Sequence, residues 1–272
     1  MKKIIFFLLL ISSFNSYANH KVKLYAERIN NGFKIYADNN EFCSMSVLIE
    51  FDLLNMRNLN EENKVYVLGP SKKRQLLTTL KVKTQRKPYQ FNFRYRTNYG
   101  NHNNKSFDFD YPYYLPFENG ASFKVSQGYN NKRTHYGIND NSIDFSMPIG
   151  TKVTAIREGT VVKVIDNNTK NCNQKECVKY NNIILVYHND DTFAEYLHLK
   201  EKGALVKVGD KVAKGQVIGL SGNTGWSSGP HLHIRVYKQF LGSQKSLKTK
   251  FQVDDKNKTD YLIEKVMYTR KY

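Results

Sequence analysis

In the segment Gly229-Pro230-His231-Leu232-His233-Ile234, histidines alternate with apolar residues. Successive side chains of a β-strand point to opposite faces, so a strand here would place His231 and His233 on one face and Leu232 and Ile234 on a buried one. Two imidazoles would then face a single cleft. The pair alone is weak evidence of chemistry, because two hydrogen-bonded surface histidines give the same pattern. A metal site also needs a third ligand and an open coordination position.

Short runs in which every second residue is apolar recur along the chain, for example at residues 22–26, 33–37 and 91–95. Period-two alternation rich in Val, Phe and Tyr predicts β-strands, and helix-period segments are few. We therefore expect a mainly β protein, with a β-sandwich-like N-terminal domain followed by a second β-rich domain.

A domain boundary is predicted near residue 112. An Asn-rich stretch at residues 98–105 is followed there by the proline-bounded Tyr111-Pro112-Tyr113-Tyr114-Leu115-Pro116. The predicted segments are a leader at residues 1–18, an N-terminal β-rich domain at 19–112, a second domain at 113–245, and a basic tail at 246–272 with one possible strand.

The N-terminus has the pattern of a secretory signal peptide. Lys2 and Lys3 precede an apolar run at residues 4–11, and Ser16-Tyr17-Ala18 supplies small residues for cleavage after Ala18. An uncleaved anchor is the alternative. The apolar run is far shorter than the ~20 residues of a membrane-spanning helix. We expect an exported protein with no transmembrane segment after cleavage.

The formal net charge of +18 favours anionic partners. Export argues against nucleic acid, and the basic residues are dispersed instead of forming a recognition motif. Anionic wall or outer-surface polymers are the expected partners.

The cysteine count is odd, with Cys43, Cys172 and Cys177. A local disulfide between Cys172 and Cys177 is predicted in a polar loop. The alternative, a metal-binding cysteine pair, would need two further ligands, and only His188 lies nearby.

The histidine-rich second half contains four ordered motifs that begin after His135. They are Ser142-Ile143-Asp144-Phe145-Ser146-Met147-Pro148-Ile149-Gly150-Thr151, Glu195-Tyr196-Leu197-His198-Leu199, Gly219-Leu220-Ser221-Gly222-Asn223-Thr224-Gly225 and Gly229-Pro230-His231-Leu232-His233. Together they resemble the lysostaphin-type (LytM, M23) zinc metallopeptidases over residues 115–237. The resemblance implies a β-rich peptidase domain at 113–245.

The resemblance also implies a zinc site. Zn²⁺ would be held by His135, Asp144 and His233, with water in the fourth position. Many family members space the first two ligands by four residues, whereas nine separate them here, so Asp140 is a rival ligand. Asp144 is preferred because alternation would bury Ile143 and Phe145 and aim its carboxylate the other way. The insert at residues 137–141 would loop out.

Further roles follow from the same resemblance. His198 and His231 would be the catalytic non-ligand histidines, one accepting the proton of the zinc-bound water and the other stabilising the oxyanion, with His231 preferred as base. Tyr129 could support the oxyanion, or it could simply pack. His188 has no family role and is expected in a solvated turn. Glycines 219, 222, 225 and 229 are expected to shape a loop beside the cleft.

The predicted function is hydrolysis of peptide bonds in peptidoglycan cross-links or stem peptides by a periplasmic zinc endopeptidase. The alternative is a non-catalytic LytM-type activator of cell-wall amidases, in which ligands would be lost. A polyanion-binding module with an incidental metal would leave the order of the motifs unexplained. Glycine bridges and D-Ala to diaminopimelate cross-links both remain open as substrates.

Overall fold

The computed structural model describes residues 20–62 and 64–272. These residues form two compact units, and the chain passes from the first to the second between Asn103 and Asn104. The predicted signal peptide lies outside the described residues. Within the described ranges, no helix has the length and apolarity needed to cross a bilayer.

The first unit consists of two antiparallel sheets. Its strands are β1 (Val22–Ile29), β2 (Gly32–Asn39), β3 (Met45–Leu54), β4 (Met56–Asn58), β5 (Val65–Leu68), β6 (Gln75–Val82) and β7 (Gln90–Tyr99). One sheet has the order β1-β2-β6-β4 and the other β5-β3-β7. The rings of Phe33 and Phe91, one from each sheet, are 4.7 Å apart. Ile35, Val47 and Leu80 are fully buried, as expected for a small sandwich-like unit.

The second unit contains fifteen strands among its described residues and two short 3-10 helices. The strands are β8 (Ser122–Gln127), β9 (Ile143–Ser146), β10 (Lys152–Thr154), β11 (Gly159–Ile165), β12 (Asn171–Cys172), β13 (Ile183–Tyr187), β14 (Thr192–Leu197), β15 (Lys211–Val212), β16 (Val217–Leu220), β17 (Gly225–Trp226), β18 (His231–Phe240), β19 (Ser243–Ser246), β20 (Phe251–Gln252), β21 (Thr259–Asp260) and β22 (Met267–Thr269). The 3-10 helices are η1 (Gly137–Asn139) and η2 (Lys175–Tyr180). The prediction of a mainly β protein is confirmed.

A nine-stranded sheet dominates this unit. Its order is β15-β11-β13-β14-β18-β9-β8-β22, and β19 also pairs with β18. One face packs on a core that includes Phe117, Phe145, Tyr196, Leu232 and Phe251. These residues come from many strands, so the sheet is a rigid platform for whatever its other face carries.

The second unit begins earlier than residue 112 and includes the last residues of the chain. The Asn104 side chain donates to Asp191, and Lys238 donates to the Asn104 carbonyl. At the other end, β22 pairs with β8, and Phe251 and Leu262 are buried. The segment expected to be a basic tail therefore completes this unit, because its apolar residues supply part of the core.

A disulfide joins Cys172 and Cys177 at the loop between β11 and β13. The same loop is attached to the glycine-rich segment by parallel pairing of β12 with β17, in which Cys172 lies opposite Trp226. The disulfide therefore closes the loop on itself, and the β12–β17 pairing holds it against the glycine-rich segment.

Candidate metal centre and catalytic histidines

Strand β18 organises the site from the middle of the sheet. Because side chains alternate along a strand, its residues His231 and His233 share one face. His233 lies opposite Leu197 of β14 on one side and opposite Asp144 of β9 on the other. His135 joins from the loop that links β8 to β9. Residues far apart in sequence thus meet because their strands are neighbours.

His135, Asp144 and His233 come together as a potential metal-binding group. Among the described residues they are the one set of three such side chains, and their candidate ligand atoms all lie within 4.8 Å of one another. Asp144 Oδ1 is 2.9 Å from His233 Nδ1 and 3.3 Å from His135 Nε2. All three residues are buried. The rival Asp140 lies at the end of η1 and outside this group.

The hydrogen bonding of His135 tests whether a cation fits. Its Nδ1 is 2.8 Å from the Gly128 carbonyl oxygen, which can only accept, so Nδ1 donates and Nε2 of the neutral ring keeps a lone pair. That Nε2 is buried without a hydrogen-bond partner and faces a carboxylate, and Nε2 of His233 also lacks a partner. Two imidazoles and a carboxylate form a donor set typical of catalytic zinc sites. The residues present therefore fit a zinc ion.

The pKa values within the group follow from burial and from the shared carboxylate. Burial alone would raise the pKa of Asp144, but the adjacent imidazoles of His135 and His233 hold it well below its ordinary value. Burial lowers the pKa of His233 by more than Asp144 raises it. For His135 the contact with Asp144 outweighs burial, so its pKa is raised. An ionised carboxylate and a neutral imidazole are the forms that bind metal.

His198 and His231 form a second pair beside the metal group. Their ring centroids are 4.4 Å apart, and His198 lies 6.0 Å from His233 by the same measure. His198 Nδ1 is 2.8 Å from the Thr224 carbonyl oxygen, and His231 Nδ1 is 2.8 Å from that of Gly229. Each Nδ1 therefore donates to a carbonyl, which leaves Nε2 of each neutral ring as a proton acceptor.

The backbone around His198 is constrained. His198 follows β14 and has a φ of 63°, a left-handed conformation that costs a non-glycine residue energy and often marks a functional site. A Cβ added at Gly222 would lie 2.7 Å from the His198 carbonyl oxygen, so only glycine allows the loop to approach this closely. Burial, with His231 and His233 nearby, lowers the pKa of His198 to about 3. Its imidazole is consequently neutral at pH 7.

The structure places two further candidates, Tyr129 and His188, away from the metal group. Tyr129 donates its hydroxyl to the Thr249 carbonyl at 2.7 Å and does not line the cleft. The expectation that His188 lies in a solvated turn is wrong, since it is fully buried and its Nδ1 is 2.9 Å from Thr192 Oγ1. The turn itself is present, but the imidazole points inward from it.

An ion pair in the cleft was missed by sequence reasoning. Arg235 and Glu195 face each other across β18 and β14, with 3.1 Å between Nη2 and Oε1. Arg235 also donates to the Ile138 carbonyl at 2.9 Å and to the Asn139 side chain. The insert was expected to loop out, but Arg235 instead holds it at the rim of the cleft. Alternation in β18 could have indicated this, because Arg235 shares a face with His233.

Comparison with known proteins agrees with this arrangement. Residues 138–247 match the model of peptidase family M23. This segment contains Asp144, His198, His231 and His233, and it lies within the second unit. The fold and site define a β-sheet protein with a metallopeptidase-type cluster, and this segment is similar to peptidase family M23.

Three curated relatives illustrate the similarity. The chain is 36% identical over 157 residues to an uncharacterized metalloprotease of Buchnera aphidicola, covering 56% of this chain and 38% of that one. It is 35% identical over 120 residues to the peptidoglycan DD-endopeptidase ShyA of Vibrio cholerae, covering 43% and 25%. It is 38% identical over 130 residues to lysostaphin of Staphylococcus simulans, covering 45% and 23%. The matched region thus spans less than two fifths of each relative.

A solved structure of lysostaphin from Staphylococcus simulans is also similar. The identity is 32%, the TM-score is 0.35, and the match covers 46% of this chain and 47% of that chain.

Proposed function

We propose that this protein is a zinc-dependent endopeptidase that hydrolyses peptide bonds in peptidoglycan cross-links or stem peptides. The observation that carries the proposal is the joint presence of two groups. His135, Asp144 and His233 are the candidate ligands, and His198 and His231 lie beside them with each Nδ1 held by a backbone carbonyl. A relative named as a peptidoglycan DD-endopeptidase supports the choice of substrate.

Zinc in this site would lower the pKa of a bound water and polarise the scissile carbonyl. The protein supplies the proton transfers. Nε2 of His231 accepts a proton from the attacking water, because its Nδ1 is occupied by the Gly229 carbonyl. Passed from His231 to Nε2 of the adjacent His198, this proton is donated to the developing oxyanion and then to the departing amine as the scissile C–N bond breaks. The two rings are close enough to act on the same carbonyl group.

The alternative is a non-catalytic activator of wall amidases. Such a role requires no metal, so loss of a ligand would be tolerated. Here a histidine or an aspartate stands at each of the three candidate ligand positions. Both non-ligand histidines have one ring nitrogen positioned by a backbone carbonyl. This arrangement is needed for catalysis and not for binding a partner, so it favours the enzyme.

Export to the periplasm, Zn²⁺ as cofactor and peptidoglycan as partner complete the proposal. The formal net charge of +18 supports long-range attraction to anionic wall or outer-surface polymers. Screening shortens the range of this attraction from ~10 Å at 0.1 M salt to ~3 Å at 1 M. Binding to intact sacculi should therefore weaken as salt is added, which a co-sedimentation assay measures. Binding to sacculi that does not change with salt concentration would contradict the proposed electrostatic attraction.

Digestion of purified sacculi tests the function directly. Zinc-loaded protein is incubated with sacculi of several wall chemistries, and released muropeptides are identified by mass spectrometry. We expect loss of cross-linked species from at least one wall type, and no loss with the His233→Ala variant. If the zinc-loaded parent releases nothing from any wall but stimulates a wall amidase, the activator reading replaces the enzyme.

A further inference from the structure

The cleft at the metal centre runs across the strands of the large sheet. One lateral row of paired residues forms much of its floor, and each residue comes from a different strand. In order, the row is Ile165 (β11), Ile183 (β13), Leu197 (β14), His233 (β18), Asp144 (β9) and Gln127 (β8). All six line a cleft of about 1170 Å³. An extended peptide can therefore lie along this row, perpendicular to the strands.

Strand spacing gives the length of the cleft on one side of the metal ligands. Neighbouring strands lie ~4.8 Å apart, so three spacings from His233 to Ile165 amount to about 14 Å. An extended peptide rises ~3.3 Å per residue, so this distance corresponds to about four residues. The β11 end of the cleft thus contacts a part of the substrate remote from the scissile bond.

Strand β11 and the loop that follows it carry basic side chains that line the cleft. Lys163 on β11 and the two lysines of η2, Lys175 and Lys179, line the cleft, and all three are exposed. Within the described residues, none of the three forms an ion pair with a carboxylate. By contrast, the acidic groups of the cleft are already engaged, Glu195 by Arg235 and Asp144 by the histidines.

The loop that carries two of these lysines is well anchored. The Cys172–Cys177 disulfide closes it, and the Asn181 side chain accepts from the Trp226 backbone at 3.0 Å. Val178 is 47% exposed and lines the same wall. An anchored loop keeps its ammonium groups near one place, which reduces the entropy lost when they bind an anion.

We propose that Lys163, Lys175 and Lys179 form a subsite for a free carboxylate of the substrate, about four residues from the scissile bond. This inference rests on the proposed function. It names the substrate as an acidic wall peptide, such as a cross-linked stem peptide with unamidated side-chain carboxylates, in preference to a neutral glycine bridge. Exposed lysines bind carboxylates with modest affinity, so the subsite acts on selectivity and not on the chemical step.

A matched pair of substrates tests the subsite. A synthetic cross-linked stem-peptide dimer is prepared with free side-chain carboxylates and, separately, with the same groups as carboxamides. The parent protein is compared with the triple variant Lys163→Gln, Lys175→Gln, Lys179→Gln. A control triple variant at Lys200, Lys202 and Lys207, exposed lysines of the same unit outside the cleft, removes equal charge.

We expect the parent to have a KM about fivefold lower for the acidic dimer than for the amidated one, the size of an exposed charge contact. The cleft variant should lose this preference with kcat unchanged, while the control variant keeps it. Equal KM values for both dimers in the parent, or a preference that survives in the cleft variant, would overturn the subsite and leave the proposed peptidase standing.

Binding measured separately distinguishes the two proposals. Calorimetric titration of each dimer into zinc-loaded protein that carries His231→Ala, with and without the three lysine substitutions, reports affinity with turnover suppressed. A charge-dependent affinity that the cleft variant lacks would support the subsite even if neither dimer is cut, in which case the proposed reaction fails. Equal affinity for the two dimers would overturn the subsite whatever the turnover.

Discussion

The second unit contains two clusters in which a buried histidine lies near an aspartate, and they differ in which groups contact the carboxylate. In the metal group, Asp144 Oδ1 has two imidazoles as its neighbours. In the other cluster, Asp190 accepts from Arg157 at 2.8 Å and from Thr192 Oγ1 at 2.6 Å. The Arg157 guanidinium supplies a permanent positive charge there. The metal group has no such built-in cation among the described residues.

The cluster of Arg157, His188 and Asp190 connects segments of the fold, whereas the metal group lies in a cleft. The Arg157 guanidinium also lies 3.9 Å from the centre of the Tyr111 ring, so it joins the segment before β8 to the β13–β14 turn. His188 contributes by contacting Thr192. A histidine close to an aspartate is therefore not sufficient evidence for a metal site. The permanent positive charge of Arg157 beside the Asp190 carboxylate distinguishes this cluster from the metal group.

Removing a ligand should have the largest effect. Asp144→Ala and His233→Ala should lose almost all zinc and all detectable peptidase activity, because two remaining ligands do not hold a catalytic ion. Metal content by plasma mass spectrometry, together with muropeptide release, measures both. Asp140→Ala is the matched control and should retain zinc. Zinc retained by Asp144→Ala but lost by Asp140→Ala would reassign the aspartate ligand.

Removing a non-ligand histidine should affect turnover alone. His198→Ala and His231→Ala should keep zinc near the parental content and lower kcat by roughly 10² or more, as expected for loss of a general base or an oxyanion donor. His188→Gln serves as the control in the other cluster and should keep both zinc and turnover. If His231→Ala strips the metal, His231 and His233 exchange roles.

Removing the counter-charge of the second cluster should affect stability alone. Arg157→Ala leaves the partly buried Asp190 carboxylate without its charged partner, which should cost about 2 kcal/mol, between the values for exposed and fully buried ion pairs. Urea unfolding of the zinc-loaded protein measures the loss. Lys152→Ala, which breaks an exposed pair with Glu118, should cost no more than about 1 kcal/mol. Equal costs for the two variants would contradict the structural role of the Arg157 cluster.

The smallest effect is a pH dependence from His188. Burial, with the charge of Arg157, lowers its pKa despite the opposing carboxylate of Asp190, and Tyr113 packs against its ring. Below about pH 6.5 the unfolded chain therefore binds a proton at His188 that the folded chain does not. The free energy of unfolding decreases as the pH is lowered, by at most about 1.4 kcal/mol per pH unit.

Comparison of the parent with His188→Gln isolates this contribution. Both proteins are unfolded by urea at pH 7 and pH 5.5 with zinc present, so that protonation of the metal ligands affects both alike. The parent should lose more stability over this interval than the variant. The same loss in both would show that His188 takes up its proton equally well in the folded state.

Several features could be predicted from local sequence because they depend on period and composition. Alternation predicted the strands, and it predicted the shared face of His231 and His233. The position of the insert at residues 137–141 at the rim of the cleft and the inward orientation of His188 were not predicted. Arg235 reaches the insert from β18, and His188 contacts Thr192 across a turn whose polar sequence resembles an exposed one.

The sequence by itself determined the β class, since strand period is a local property, and its resemblance to known peptidases selected the five histidine and aspartate residues as candidates. Only the tertiary structure decided how they meet. The pairing of β18 with β9 and β14 sets His233 opposite Asp144. Backbone carbonyls from three loops accept from Nδ1 of His135, His198 and His231, so Nε2 of each ring is left to bind a metal or a proton. The same cross-strand register places the basic end of the cleft three strands from the metal ligands, because strand order depends on packing between segments distant in sequence.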